Sequence, residues 1–451
     1  MSIKSISPID GRYARVTQPL EDFVSEFALM KYRVLVELKW LEFLSHANLD
    51  GIRALQPAEF VLLDSLNANF SVDNAERIKE IERTTRHDVK AVEYFIREKL
   101  GGTTLEDVGE FVHFACTSED INNLAYALML KKAMSHCLQP LLLEVMDAVS
   151  YLAVTHKALP MIARTHGQPA SPTTLGKEMA VFVYRWQRQM RFLETQEILG
   201  KFAGAVGNFN AHTSAYPNAD WRGLAKDFVT SLGLTYNPLT TQIESHDFIA
   251  ELFHTLMRFN QIALGFAQDI WQYISLGYFK QQTVAGEIGS STMPHKVNPI
   301  DFENAEANLG LANATFGHLA SKLEVSRLQR DLSDSSALRN IGVGLAHTVI
   351  AFSSLKAGIA KLEVNTIKIA ADLENEWMLL AEPIQTVMRK YNVPNGYERM
   401  KDLTRGSSVD EVTMRAFIES LEIPEMDKKR LLEMRPSSYV GLAAELVSEI
   451  G

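Results

Sequence analysis

At 451 residues, with 46% hydrophobic and 22% charged residues, the chain has the composition of a globular protein and is too long for one ordinary core, so roughly two to four domains are expected. A net charge of −10 counts against a sequence-independent nucleic-acid binder, which needs a basic stripe facing phosphate. The two cysteines, Cys116 and Cys137, form no CxxC pair, which argues against a disulfide framework and fits a reducing, cytoplasmic setting.

The opening MSIKSISPIDGRY has no apolar run behind its early lysine, so neither a secretory signal nor a transit peptide is expected. Up to about residue 112 the helical segments are short and punctuated by LGGTTLEDVGE. Long helical periodicities follow from Ser118 to Leu138, Leu141 to His156 and Leu175 to Leu199. From Asp247, the expected N-cap, apolar residues at 248, 249, 252, 253, 256, 263, 266, 267, 270 and 274 form one stripe. At 1.5 Å per residue that helix would extend about 45 Å. Phe302 to Leu323 and Ser336 to Leu362 complete the set. The apolar stretch from Ile341 to Leu355 is shorter than the roughly 20 residues of a membrane span and contains His347, Ser353 and Ser354, so it reads as a buried helix. After about residue 365 short elements with Pro and Gly between them return. Strand signals are few, and no internal repeat or low-complexity tract is present. The expected class is all-α, built round a long helical bundle, with domains at 1–112, 113–365 and 366–451. Wide apolar faces on long helices point to a homo-oligomer.

Metal chemistry finds no support, because the 12 histidines show no HExxH spacing and no Cys/His cluster exists. Neither GxGxxG nor a Walker pattern is present. Polar clusters at the ends of the long helices remain. In 83-RTTRHDVKAVEYF-95, Arg86, His87 and Asp88 stand at an expected helix start, as a cap or as a site. In 113-HFACTSEDINN-123, Thr117 and Ser118 precede a long helix and either cap it or offer hydroxyls and N–H groups to an anion. His166, in 164-RTHGQPASPTTLGKEM-179, sits before a Pro-broken loop and a helix from near Thr173. It is either a structural hydrogen-bonding residue or an acid–base group flanked by Thr165, Gln168 and Lys177. In 326-SRLQRDLSDSSALRN-340, Arg327, Arg330 and Arg339 form a solvated face paired with Asp331 and Asp334, or a bidentate reader of carboxylates or phosphate. The stretch 286-GEIGSSTMPHKVNP-299 is a plain connector or a functional loop with Gly286, Gly289, two serine hydroxyls, Lys296 and Asn298.

The string GSSTMPHKVNP resembles the GSSxMPxKxN signature of the aspartase/fumarase superfamily, whose members eliminate fumarate from a succinyl-bearing substrate. SPIDGRY, IERTTRHDVKAVEYF, HFACTSEDINN, RTHGQPA, GNFNAH, TTQIE, SRLQRDLSDS and LAEPIQTVMR resemble the bacterial adenylosuccinate lyase family, so the resemblance runs through essentially the whole chain. It implies cleavage of adenylosuccinate to AMP plus fumarate, and of the succinyl-carboxamide ribotide SAICAR to AICAR plus fumarate, in purine biosynthesis. No cofactor, metal, nucleic acid or membrane is implied. A homotetramer is, with the central helices in one shared bundle and each active site built from three subunits. By the same resemblance Ser290 is the general base and His166 the general acid. Arg12, Tyr13, Arg86, His87, Asp88, Thr117, Ser118, Gln242 and Ser291 match substrate-contacting positions. So do Lys296, Val297, Asn298, Asn304 and Arg330, and the run Ser335, Ser336, Ala337, Leu338 and Arg339. The residue types suit the chemistry. Removing a proton alpha to a carboxylate makes a dianion that Lys296 and Asn298 can stabilise, and an imidazole can protonate the departing amine. Argininosuccinate lyase or fumarase, and a bundle recruited as a structural protein, are the competing readings.

Overall fold

The computed structural model describes residues 3–282, 293, 296–404 and 409–451. Among these the chain is helical, and its strands make only three two-stranded pairings. The all-α expectation therefore holds. The residues fall into two compact units. The first takes 1–142, 189–261 and 307–353, and the second takes 143–188, 262–306 and 354–451.

In the first unit Glu26–His46 packs against Ser118–Ala133. The Ser25 hydroxyl starts the former by accepting the Ala28 N–H at 3.1 Å, which satisfies one of the free amides at a helix start. Leu29, Val36, Trp40 and Leu44 on this helix are at most 3% exposed. Trp40 packs against Phe202 and Phe228 and donates to the Phe114 carbonyl at 3.0 Å. Each large apolar side chain buried in this way stabilises the unit by roughly 1.5–3 kcal/mol. A second cluster, including Val34, Leu38, Ile78, Val92, Phe95 and Ile96, is confined to residues 30–112. Two short helices, Val72–Thr85 and Asp88–Leu100, meet at a sharp corner there. Arg86 takes a left-handed conformation at φ +51°, and His87 Nδ1 caps the next helix by accepting the Lys90 N–H at 3.1 Å.

The sequence-expected runs 118–138 and 141–156 are joined without a break. A π-helical turn, Met134–Leu138, carries Ser118–Ala133 into Gln139–Thr155. Asp247–Ser275 spans 29 residues, about 44 Å at 1.5 Å per residue, with Asp247 as its first helical residue rather than its cap. The run expected from Ser336 to Leu362 is two helices, Ser333–Leu338 and Ile341–Ala360, separated by a turn at Arg339 and Asn340. By length and composition alone, 118–155 and 333–360 could each cross a membrane. In this structure Leu124, Leu130, Leu345 and Phe352 on them are fully buried against protein.

In the second unit Trp186 is fully buried, 5.7 Å from the Phe266 ring, and a separate core that includes Leu380, Ile384, Met388, Met414 and Ile418 lies within residues 377–431. The main departure from expectation is also here. The stretch around His166 is an antiparallel hairpin, Pro160–Thr165 with Gln168–Thr174, and the following helix begins at Leu175, close to the expected start near Thr173. Two prolines suggested a broken loop. A two-stranded ribbon has open edges, so Pro169 and Pro172 leave no central ladder donor missing.

Candidate functional site

The first unit gathers side chains from far-apart segments into one polar cluster. Arg330, only 15% exposed, donates through Nη2 to Glu119 Oε1 at 2.8 Å and to Ser335 Oγ at 2.9 Å, and through Nη1 to Gln242 Oε1 at 3.3 Å. Gln242 is itself oriented by the Ala205 carbonyl at 3.0 Å. Asp334 lies 3.7 Å from the same guanidinium. Burial pushes the Glu119 carboxyl above the usual carboxylate range, with Arg330 pulling it back. Arg330 Nε is buried and has no hydrogen-bond partner among the described residues.

Asp88 anchors the other end. Its Oδ2 accepts from Arg33 Nη2 at 2.8 Å and from Arg339 Nη2 at 3.2 Å. Burial opposes its ionisation, but Arg33, the Val89 amide and Arg339 together hold the carboxyl below its ordinary value. Arg339 Nη1 is also 3.8 Å from Glu26. A cavity of about 300 Å³, lined in part by Asp10, Ala14, Thr17 and Arg339, adjoins the 10–14 segment that carries Arg12 and Tyr13. The Arg12 guanidinium sits 5.9 Å from the Tyr13 ring centre. Thr117 and Ser118 stand at the start of the helix bearing Glu119, where Asp120 Oδ2 takes the Thr117 N–H at 2.8 Å. Behind them Lys201 and Asp120 form a fully buried ion pair at 2.9 Å.

Not every nominated residue joins this cluster. Arg327 is 82% exposed and pairs with Asp331 at 3.3 Å, so the solvated-face alternative describes that arginine. Ser336 is exposed, with its carbonyl taken by Asn340 Nδ2 at 3.0 Å. Ala337 is half-buried on the same short helix, and the Leu338 side chain is buried beside a cavity of about 210 Å³. Arg86 and His87 form the helix corner described above, immediately before Asp88.

The second unit carries the other candidates. His166 and Gly167 are the two residues of the hairpin turn, at φ +53° and +74°, the pattern of a type I′ turn that suits the twist of antiparallel strands. The turn lifts the exposed imidazole to the tip of the ribbon, and among the described residues its ring has no hydrogen-bond partner. Lys177 was expected beside it and pairs instead with Glu178 at 3.2 Å. Lys296 and Val297 are exposed, Asn298 is half-buried, and Asn304 Nδ2 donates to Ser354 Oγ at 2.7 Å. Ser290 and Ser291 lie outside the described residues. Among the described residues no group of histidines, cysteines and carboxylates could hold a metal ion.

Known proteins agree along the full length. A family described as Lyase matches residues 13–313, and one described as Adenylosuccinate lyase C-terminal matches residues 326–440. The chain is 54% identical over 451 residues to the adenylosuccinate lyases of Haemophilus influenzae and of Escherichia coli K12, covering 100% of this chain and 99% of each relative. The chain belongs to the adenylosuccinate lyase family. It is therefore an enzyme, a lyase. Solved structures support the fold of this family. Fumarate lyase from Mesorhizobium sp. BNC1 superposes with a TM-score of 0.77 at 17% identity, over 96% of this chain and 97% of that one. The 3-carboxy-cis,cis-muconate lactonizing enzyme from Pseudomonas putida gives 0.75 at 18%, over 96% and 95%.

Three members of the cluster in this lyase escaped the sequence reading: Arg33, Glu119 and Asn122. Asn122 Nδ2 donates to Glu119 Oε1 at 2.7 Å, and Asn122 Oδ1 accepts from Arg33 Nε at 2.8 Å. One signal was present. Arg33 falls on the stripe occupied by Leu29, Val36 and Trp40, and a charge on an apolar helix face needs a buried partner.

Proposed function

We propose that this lyase eliminates fumarate from adenylosuccinate, leaving AMP, and from SAICAR, leaving AICAR. The observation that carries the reading is the Arg330–Ser335–Gln242 cluster, which gathers a guanidinium, a hydroxyl and an amide in one place, with Arg339 joined to it through Asp88 and Arg33, in a chain of net charge −10. Such a site suits a substrate bearing a phosphate and two carboxylates. Full-length identity of 54% with named adenylosuccinate lyases supports the substrate choice.

In this reading Ser290 removes the proton from the carbon alpha to one carboxylate and beta to the leaving nitrogen. The electron pair moves into the carboxylate, and Lys296 and Asn298 stabilise the resulting dianion. The carbon–nitrogen bond then breaks as His166 protonates the departing amine, a contribution of typically 10²–10⁴-fold for a positioned acid. The exposed tip position of His166 supports a role toward a ligand rather than toward its own core. We further propose a homotetramer in the cytoplasm with sites shared among three subunits. The division 1–112, 113–365 and 366–451 belongs to the same proposal, its ends supported by the two separate terminal cores.

Ser290→Ala is expected to keep the helical circular dichroism and the assembly while losing cleavage of both substrates. Near-normal turnover would remove serine as the base. His166→Gln is expected to be similarly inactive, and mixing the two variants restores activity when sites are shared. No recovery after confirmed subunit exchange rejects sharing, and turnover of argininosuccinate or malate without adenylosuccinate cleavage rejects the substrate.

A further inference from the structure

Arg330 and Arg339 bracket the short helix Ser333–Leu338 and are joined through the interior of the first unit by one chain of hydrogen bonds. From Arg330 it passes to Glu119 at 2.8 Å, Asn122 at 2.7 Å, Arg33 at 2.8 Å, Asp88 at 2.8 Å and Arg339 at 3.2 Å. Charges alternate along it, and the neutral amide in the middle is polarised one way only. Asn122 Oδ1 faces an arginine and its Nδ2 faces a carboxylate, so reversing the amide would break both bonds. Glu119, Asn122 and Arg33 are 1%, 7% and 4% exposed. Burying so much polarity is costly, and apolar side chains of similar size would often be at least as stabilising. The ends differ from the middle. Arg339 is 45% exposed, and Arg330 keeps its unpartnered Nε.

We propose that Arg33 and Asn122 are positioning residues which couple Arg330 to Arg339, so that one anionic substrate meets both guanidiniums at a fixed spacing. The proposal rests on the reading of those two arginines as substrate contacts. Asn122 holds Glu119 against Arg330, and Arg33 holds Asp88 against Arg339. Losing either link frees one arginine relative to the other without touching the reacting atoms.

The test uses the full-length enzyme, with AMP as the calorimetric probe and adenylosuccinate for kinetics. Asn122→Leu removes both central bonds while keeping the branched side-chain skeleton, and Arg33→Lys cannot reach Asn122 and Asp88 together. Each folded variant is expected to weaken AMP binding and raise KM by about tenfold while kcat changes by less than about threefold, a coupling of the size seen between interacting residues. Because both act on one relay, the double variant is expected to be no more than about twofold weaker than the weaker single. Parent-like AMP affinity in both folded single variants overturns the proposal. So does an additive double variant, or a loss confined to thermal stability. Arg330→Ala and Arg339→Ala separate the two layers of the argument. If they too keep parent affinity, the anion reading itself fails, whereas their loss beside intact relay variants rejects the relay alone.

Discussion

The polar cluster of the first unit and the His166 hairpin of the second hold the candidate side chains by opposite means. Positions 33, 88, 119, 122, 242, 330, 335 and 339 come together only through tertiary packing, and each is fixed by bonds to the next. His166 is fixed by its own backbone, at the tip of a ribbon whose strands are its immediate neighbours in sequence. Side-chain networks of the first kind are precise and fail as a unit. A turn of the second kind fixes the peptide units and leaves the side chain exposed.

Removing the centre of the network tests this most severely. Arg330→Ala leaves buried Glu119 without its cation, which costs on the order of 3–5 kcal/mol. The expected readout is a lower urea midpoint at unchanged slope. Replacing Glu119 and Arg330 together by methionine is expected to recover most of the lost stability but not activity. If Arg330→Ala unfolds like the parent, the cluster is not cooperative.

The next effect depends on pH. Burial lowers His212 and His246 of the first unit from the ordinary 6.5 to about 4, against the pull of Asp120 on His212 and of Asp334 on His246. The unfolded chain therefore binds protons between pH 6.5 and 4 that the folded chain refuses. Stability is full above the unfolded pKa, falls as pH drops through that window, and levels off below the folded pKa. The loss is at most about 3 kcal/mol per histidine. His212 is packed among Phe202, Phe209 and Trp221, so His212→Phe should flatten part of the slope. An unchanged slope in that variant would contradict the assignment.

At the hairpin the expected effect is smallest. A Cβ on Gly167 meets no atom within 4 Å, so Gly167→Ala carries only the cost of the left-handed backbone, about 1 kcal/mol. Its melting temperature should drop by a few degrees at most, and Gly167→Asn should drop less. A drop as large as that of Arg330→Ala would erase the contrast between the two regions.

Much of this arrangement was legible in the sequence. Apolar periodicity located the long helices because burial repeats every three to four residues whatever the partner, and Asp247–Ser275 and Ile300–Leu323 lie within a few residues of expectation. The hairpin was hidden because Pro169 and Pro172 mimic a loop, and the ribbon shows itself in backbone pairings such as Ala163 with Ala170 and Arg164 with Pro169. Site residues embedded in recognisable strings were nominated by number. Arg33 lies outside those strings, and Asn122, although inside HFACTSEDINN, was passed over because its partner Arg33 is 89 residues away, as Asp88 is 55 from Arg33. Local spacing shows that Arg33 needs a buried partner but not which distant residue supplies it.

The buried pair of Lys201 and Asp120 has a kinetic consequence. With its amine fully covered and also donating to the Gly204 carbonyl at 3.0 Å, Lys201 can meet an acylating reagent only when the protein opens. Exposed lysines such as Lys429 are labelled from the folded state. Mass spectrometry of the two sites during slow acylation would then time how often the interior opens, using an amine the chain already carries.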